Sequence, residues 1–281
     1  MENKMDIKLV FSDIDRTILP PGKDVSEYTV ETVRACRERG VEFVIASGRW
    51  YPAALKVVED QLGIRDGYMI VCNGGAVVRC DGTVLMEGTL SPEQARTVYD
   101  ILHDENVLMT SYVRGAIYRL HSQYLTVFRL PEAGGYFYGG KYDIIDDDEE
   151  AFLAHGMNNP YKIEAYSDDT ELLARLRVKL VEAGLQVNSS FPINLEIMAP
   201  GTGKGAAVRW LTQHMGFTRE QTMGFGDFTN DLPMLENVGW PVAVDNALDE
   251  VKRACRIIAP SCEDDGVAHT LHKYVLGDEK A

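Results

Sequence analysis

The sequence predicts an α/β protein, a parallel sheet covered by helices and divided by an inserted α+β segment. Three observations predict it. Short apolar runs alternate with amphipathic segments in a βαβαβ rhythm as far as "CNGG" at residues 72–75. The pattern then changes to hairpins and Gly- and Tyr-rich stretches, and the alternation resumes at "GKGAAVRWLTQHMG" from Gly203 onward. Two β/α stretches enclosing a different middle imply one discontinuous core, residues 1–86 and 194–281, with an insertion over 87–193.

The elements follow in order. "IKLVF" reads as a strand, "SEYTVETVRACRERG" as a helix with Ser26 as N-cap and Gly40 as its stop, and "EFVIAS" as a second strand. "PAALKVVEDQLG" is a helix opened by Pro52 and closed by Gly63, and "YMIVC" is a third strand. After "CNGG", "AVVRCDGTVLMEG" turns at Asp81-Gly82, and "SPEQARTVYDILHDEN" opens with a Ser91/Gln94 capping box. "VLMTSYV" and "AIYRL" form another hairpin about Arg114-Gly115. "EAGGYFYGGKYDIIDDDEE" reads as an irregular exposed segment. "YKIEAYS", the helix "DDTELLARLRVKLVEAG", "LQVNSS" and "NLEIMA" complete the insertion. The core then returns with a helix, the strand "TMGFG", a helix from Leu232, the strand "PVAV", the helix "ALDEVKRAC" and the strand "RIIA".

Composition narrows the function. The 281 residues are 45% hydrophobic and 25% charged, a globular balance with length for one large domain or two moderate ones. Lys and Arg total 28 against 43 Asp and Glu, a formal charge of -15, which argues against a general nucleic-acid binder. An anionic ligand would need local neutralisation. Cys36, Cys72, Cys80, Cys255 and Cys262 are scattered without metal spacing, which fits reduced thiols in a cytoplasmic protein. The N-terminus lacks a secretion signal and no run is long enough to span a bilayer, so no membrane role is expected and the sequon at Asn188 carries no weight.

Open parallel sheets bind ligands beyond the carboxyl ends of their strands. The polar clusters fall there: "DID" after the first strand, "SGR" after the second, "NGG" after the third and "GDFTND" after "TMGFG", with Lys204 at the start of the returning helix. Asp13 and Asp15 lie two residues apart after a buried run, pointing to one side of an extended chain. Such a pair calls for a cation, a proton or a reaction.

The ordered motifs "DIDRTI", "SGR", "GKG" and "GDFTND", with the late "VDNALDEVKRACRIIAPSCEDDGVA", resemble the haloacid dehalogenase superfamily, and more narrowly its Cof-type phosphatases with a large α/β cap. The resemblance spans nearly the whole chain. It implies a Rossmann-like doubly wound core with an inserted α+β cap, and a Mg²⁺-dependent phosphatase acting on small phosphorylated metabolites. It further implies that Asp13 is the nucleophile and Asp15 the general acid and base. Mg²⁺ would be held by Asp13, Asp227 and the Asp15 carbonyl, with Asp231 acting from behind these ligands or through a water and also orienting Lys204. Ser47, Gly48, Lys204 and Asn230 would hold the phosphoryl oxygens, while Arg49, Asn73 and Gly74 would line the entrance. Selectivity would reside in the insertion.

Some features point elsewhere. "MAPGTGKG" resembles a nucleotide-binding P-loop, but Met198 and Gly205 stand where that motif needs Gly and Ser or Thr. Tyr136, Phe137, Tyr138 and Tyr142 suit a packed aromatic cluster or a specificity wall, and His269 and His272 lack a metal motif. The resembled family usually has glycine where this chain has Arg16, and often Met-Gly at Val244-Asp245; Phe228 sits at a variable position. Arg16 must adopt glycine's conformation or reshape its loop. A phosphomutase and a non-catalytic metabolite-binding protein on a decayed fold remain alternatives to the phosphatase.

Overall fold

The computed structural model describes residues 5–121, 143–146 and 148–277. The chain opens with β1 (Leu9–Ser12), whose four residues are all buried, as suits a strand covered on both faces. Helix α1 (Glu27–Glu38) starts at Ser26, whose Oγ accepts the Thr29 N–H at 3.0 Å. Strand β2 (Glu42–Ala46), helix α2 (Tyr51–Lys56), continued by a π-helical turn over Val57–Gln61, and β3 (Tyr68–Val71) follow. Strands β4 (Ala76–Arg79) and β5 (Val84–Glu87) turn about Asp81-Gly82 as expected.

The next stretch builds a separate sheet. Helix α3 (Pro92–Leu102) opens with the Ser91/Gln94 capping box. Strands β6 (Leu108–Val113), β7 (Ala116–His121) and β8 (Asp143–Asp146), the short α4 (Glu149–Ala151), β9 (Lys162–Tyr166), α5 (Thr170–Glu182), β10 (Gln186–Asn188) and β11 (Asn194–Met198) complete it. The chain returns with α6 (Lys204–His214), β12 (Thr222–Gly226), α7 (Leu232–Leu235), β13 (Trp240–Val244), α8 (Asp249–Ala254), β14 (Ile257–Ala259) and α9 (Gly266–Leu271).

The described residues up to Met86 and from Gly203 form one compact unit, and Glu87–Thr202 forms the other. The second unit thus extends past the boundary expected at residue 193. The cause is β11, which pairs antiparallel with both β9 and β10 and so belongs to the second sheet. In the first unit the strand order is β14-β13-β12-β1-β2-β3-β4-β5, parallel from β14 to β3. Strand β1 lies between β12 and β2, so three of the motif-bearing carboxyl ends share one edge.

The second sheet runs β10-β11-β9-β6-β7-β8. Its apolar residues Met109, Val113, Ile163, Ala165, Leu195 and Ile197 share a core with Val98 and Leu102 of α3 and Leu172, Leu173, Leu176 and Leu180 of α5. Each buried leucine contributes about 1.5–3 kcal/mol. The alternate strand positions are buried yet polar: Lys162 Nζ bonds Glu164 at 2.5 Å and Glu196 at 2.9 Å, and the Tyr112 and Tyr166 hydroxyls donate to Glu164 at 2.6 and 2.7 Å.

The segment read as irregular contains β8, which pairs parallel with β7, Ile144 opposite Tyr118's neighbour Ile117. Two consecutive isoleucines favour a strand despite the acidic residues around them. Tyr136, Phe137, Tyr138 and Tyr142 lie outside the described residues. His269 and His272 pack their rings on Tyr28 at 5.2 and 5.3 Å, a structural arrangement. Among the described residues no helix is long and apolar enough to cross a membrane.

Candidate active site

Asp13 follows β1 directly and its N–H donates to the Phe225 carbonyl at 3.0 Å, extending the ladder with β12. The chain then turns rather than continuing as a strand. The Ile14 carbonyl accepts from Thr17, Ile18 and Leu19, so the turn, not strand alternation, places Asp15. Arg16 takes the left-handed conformation at φ 63, which costs a non-glycine residue about 1–2 kcal/mol. Its N–H donates to Leu19 at 2.9 Å, and its carbonyl accepts the Asn246 amide at 2.7 Å. Arginine therefore adopts the conformation that glycine would hold without strain.

Lys204 is the first residue of α6 and is 1% exposed. Its Nζ lies 2.6 Å from both Asp13 Oδ1 and Asp231 Oδ1. Burial disfavours its charge, but the two carboxylates outweigh burial and hold its pKa above the usual lysine value. Asp231 is saturated: its Oδ2 accepts the N–H groups of Asp227 and Phe228 at 3.0 and 3.2 Å. It makes no side-chain cap on α7 and instead ties the Asp227 loop to Lys204.

Carboxylate oxygens of Asp13, Asp227 and Asp231 lie within 4.8 Å of one another. Thr17 Oγ1 donates to Asp227 Oδ1 at 3.0 Å, and Arg16 Nε stands 3.6 Å from Asp227 Oδ2. Burial, with repulsion from Asp231, pushes the Asp227 carboxyl up to about 7; burial also raises Asp13 well above the ordinary range, with Lys204 opposing. Such carboxyls are poised to exchange a proton for a cation. The fit to Mg²⁺ is good in chemistry: the donors are hard oxygens, and Asp13 Oδ2, Asp227 Oδ2 and the Asp15 carbonyl accept no hydrogen bond among the described residues.

A second set of contacts joins the remaining motifs. Arg49 engages Asp15 through two bonds, Nε at 3.0 Å and Nη2 at 2.6 Å, so this guanidinium holds a carboxylate of its own chain. The Arg49 N–H donates to Ser47 Oγ at 3.1 Å, and the Asn73 N–H to the Ser47 carbonyl at 2.9 Å. Asn230 Nδ2 reaches Asn73 Oδ1 at 3.2 Å, while a Cβ on Gly48 would press on the Asn73 amide at 3.1 Å. The eleven candidate residues named from the four motifs and Lys204 thus all lie within one unit. Sequence reading missed Thr17, although it lies inside "DIDRTI", and Asn246, whose partner is a backbone carbonyl that no motif records.

Gly74, at φ +91, is where the third strand's loop touches the Lys204 segment. A Cβ there would sit 2.2 Å from the Gly203 carbonyl carbon and 2.6 Å from the Lys204 nitrogen. Gly74→Ala is expected to cost about 3 kcal/mol by combining left-handed strain with overpacking. Denaturant unfolding checks it: a loss below about 0.5 kcal/mol, the ordinary surface range, would show that the loops are not in contact.

The chain matches the family model described as haloacid dehalogenase-like hydrolase over residues 10–271. It is 30% identical to an HMP-PP phosphatase of Klebsiella pneumoniae, covering 95% of this chain and 96% of that protein. It is 26% identical to a 5-amino-6-(5-phospho-D-ribitylamino)uracil phosphatase of Bacillus subtilis, covering 97% of each. A solved haloacid dehalogenase-like hydrolase from Bacteroides thetaiotaomicron superposes with a TM-score of 0.80 at 25% identity, covering 95% of this chain and 99% of that one.

Proposed function

The chain belongs to the haloacid dehalogenase-like hydrolases, in their phosphatase branch, and from that premise we propose that it is a Mg²⁺-dependent phosphatase of small phosphomonoesters working through Asp13. The observation that carries this reading is the buried Lys204 bridging Asp13 and Asp231 at 2.6 Å each, which leaves Asp13 Oδ2 without a donor among the described residues. The Asp13 carboxylate attacks phosphorus, the bond to the ester oxygen breaks, and Asp15 gives a proton to the departing alkoxide. Asp15 then takes a proton from the water that cleaves the aspartyl phosphate. Arg49 orients the Asp15 carboxylate between these two transfers.

Ser47, Lys204, Asn230 and the Gly48 N–H hold the phosphoryl oxygens, with Asn73 steadying Asn230 and Ser47. Asp13, Asp227 and the Asp15 carbonyl would hold Mg²⁺, with Asp231 orienting Asp227 through its N–H; the cation would supply positive charge to the phosphoryl group. The substrate class is sugar phosphates or phosphorylated cofactors. The relatives named for small phosphorylated compounds support that class.

An aryl phosphate assay tests it, with Mg²⁺, with EDTA and with Asp13→Asn; equal rates in all three would end the reading. The pH dependence of metal binding is part of the same test. Asp227, raised from 3.8 to about 7, stabilises the metal-free fold while protonated, and that stability is lost as pH rises from 3.8 to about 7. Mg²⁺ needs the carboxylate, so the melting-temperature gain it gives is expected to grow as pH rises toward and through about 7. A gain that is flat or falls with pH would contradict the assignment of Asp227.

A further inference from the structure

Among the described residues three cations stand at the site, and only two are committed. Lys204 is closed between Asp13 and Asp231 at 2.6 Å each. Arg49 is bonded twice to Asp15. Arg16 makes a single side-chain contact among the described residues, Nε to Asp227 Oδ2 at 3.6 Å, too long for a hydrogen bond, and its side chain is 58% exposed.

Its backbone, by contrast, is fixed. The left-handed turn at φ 63 is clamped by Leu19 on one side and by Asn246 on the other, and Asn246 is itself held by the Cys262 N–H at 2.8 Å. The guanidinium is therefore tethered beside the acidic cluster with its donors free. With Asp227 engaged by a cation, Arg16 would no longer be drawn inward, and its planar fork of N–H groups would stand beside the Asp13/Asp227 cluster. Such a fork matches a carboxylate or phosphate through two parallel bonds.

We propose that Arg16 forms a second anion subsite, so that the preferred phosphomonoesters carry a further phosphate or carboxylate besides the phosphoryl group that is removed. This rests on the phosphatase reading and narrows its substrate class. It gives a use to the strained arginine at a turn where glycine would cost less.

The test compares wild type, Arg16→Gln and Arg16→Lys in Mg²⁺ on two matched pairs: fructose 1,6-bisphosphate against fructose 6-phosphate, and 3-phosphoglycerate against glycerol 3-phosphate. Wild type is expected to favour the member with the second anion in at least one pair. Arg16→Gln is expected to lower that kcat/KM ratio about tenfold, mainly through KM, as loss of a charge-assisted contact implies, with Arg16→Lys keeping part of it. The pair that responds distinguishes phosphate from carboxylate. No preference in wild type, or an unchanged ratio in Arg16→Gln, overturns the subsite. If wild type turns over none of the four, the aryl phosphate assay decides the phosphatase reading and calorimetry decides the subsite. The same compounds are then titrated calorimetrically: binding weakened in Arg16→Gln only for those with a second anion supports the subsite, and equal binding by wild type and Arg16→Gln overturns it.

Discussion

Lys204→Met is expected to abolish phosphate release and to lower the unfolding free energy by about 3–5 kcal/mol at neutral pH, the range for breaking a buried ion pair from one side. Methionine fills the volume but leaves Asp13 and Asp231 facing each other without a cation. The damage would spread, because Asp231 also accepts the N–H groups of Asp227 and Phe228. The deficit has a pH signature. Burial already raises the Asp13 carboxyl well above its usual range with Lys204 opposing, so removing the lysine raises it further. Protonation of a carboxyl so raised stabilises the fold, a contribution present at low pH and lost as pH rises. Denaturant midpoints of the variant should therefore approach those of wild type in acid and diverge from them toward neutrality. Lys204→Arg, which restores charge with a bulkier head in a fully buried slot, separates loss of charge from loss of fit. A methionine variant that unfolds like wild type at neutral pH would mean that the lysine does not bridge the two carboxylates.

Asp13→Asn is expected to reduce kcat by about 10⁴ or more while leaving the fold close to intact. The asparagine oxygen can still accept from Lys204, and the Asp13 N–H keeps its bond to Phe225 at 3.0 Å. What is lost is the nucleophile. Circular dichroism and melting temperature would confirm that the loss is chemical, and a variant retaining more than a tenth of the wild-type rate would transfer the nucleophile to another group.

Much of this architecture is legible in the sequence because the signals are local. Buried runs such as "LVFS" and capped helices at Ser26 and Ser91 follow from burial and hydrogen bonding within a few residues. The convergence of Asp13, Ser47, Asn73, Lys204 and Asp227 is legible for another reason, since parallel strands put their carboxyl ends on one edge. The parts that escaped depend on long-range pairing. Strand β11 adjoins the returning helix in sequence but its hydrogen bonds go to β9 and β10, which moved the boundary to Thr202. Strand β8 was masked by its acidic neighbours. The Arg49 fork on Asp15 and the Asn246 clamp on Arg16 join residues far apart in the chain, and no spacing rule announces such contacts.

The most direct test of the central claim is to trap the covalent state. Enzyme turning over a phosphomonoester in Mg²⁺ is quenched and reduced with borohydride, which converts an aspartyl phosphate to homoserine, and the peptide containing residues 11–20 is sequenced by mass spectrometry. The account predicts homoserine at position 13, dependent on substrate and absent from Asp13→Asn. Undiminished phosphate release with Asp13 unmodified, or with the reduced residue elsewhere, would contradict it.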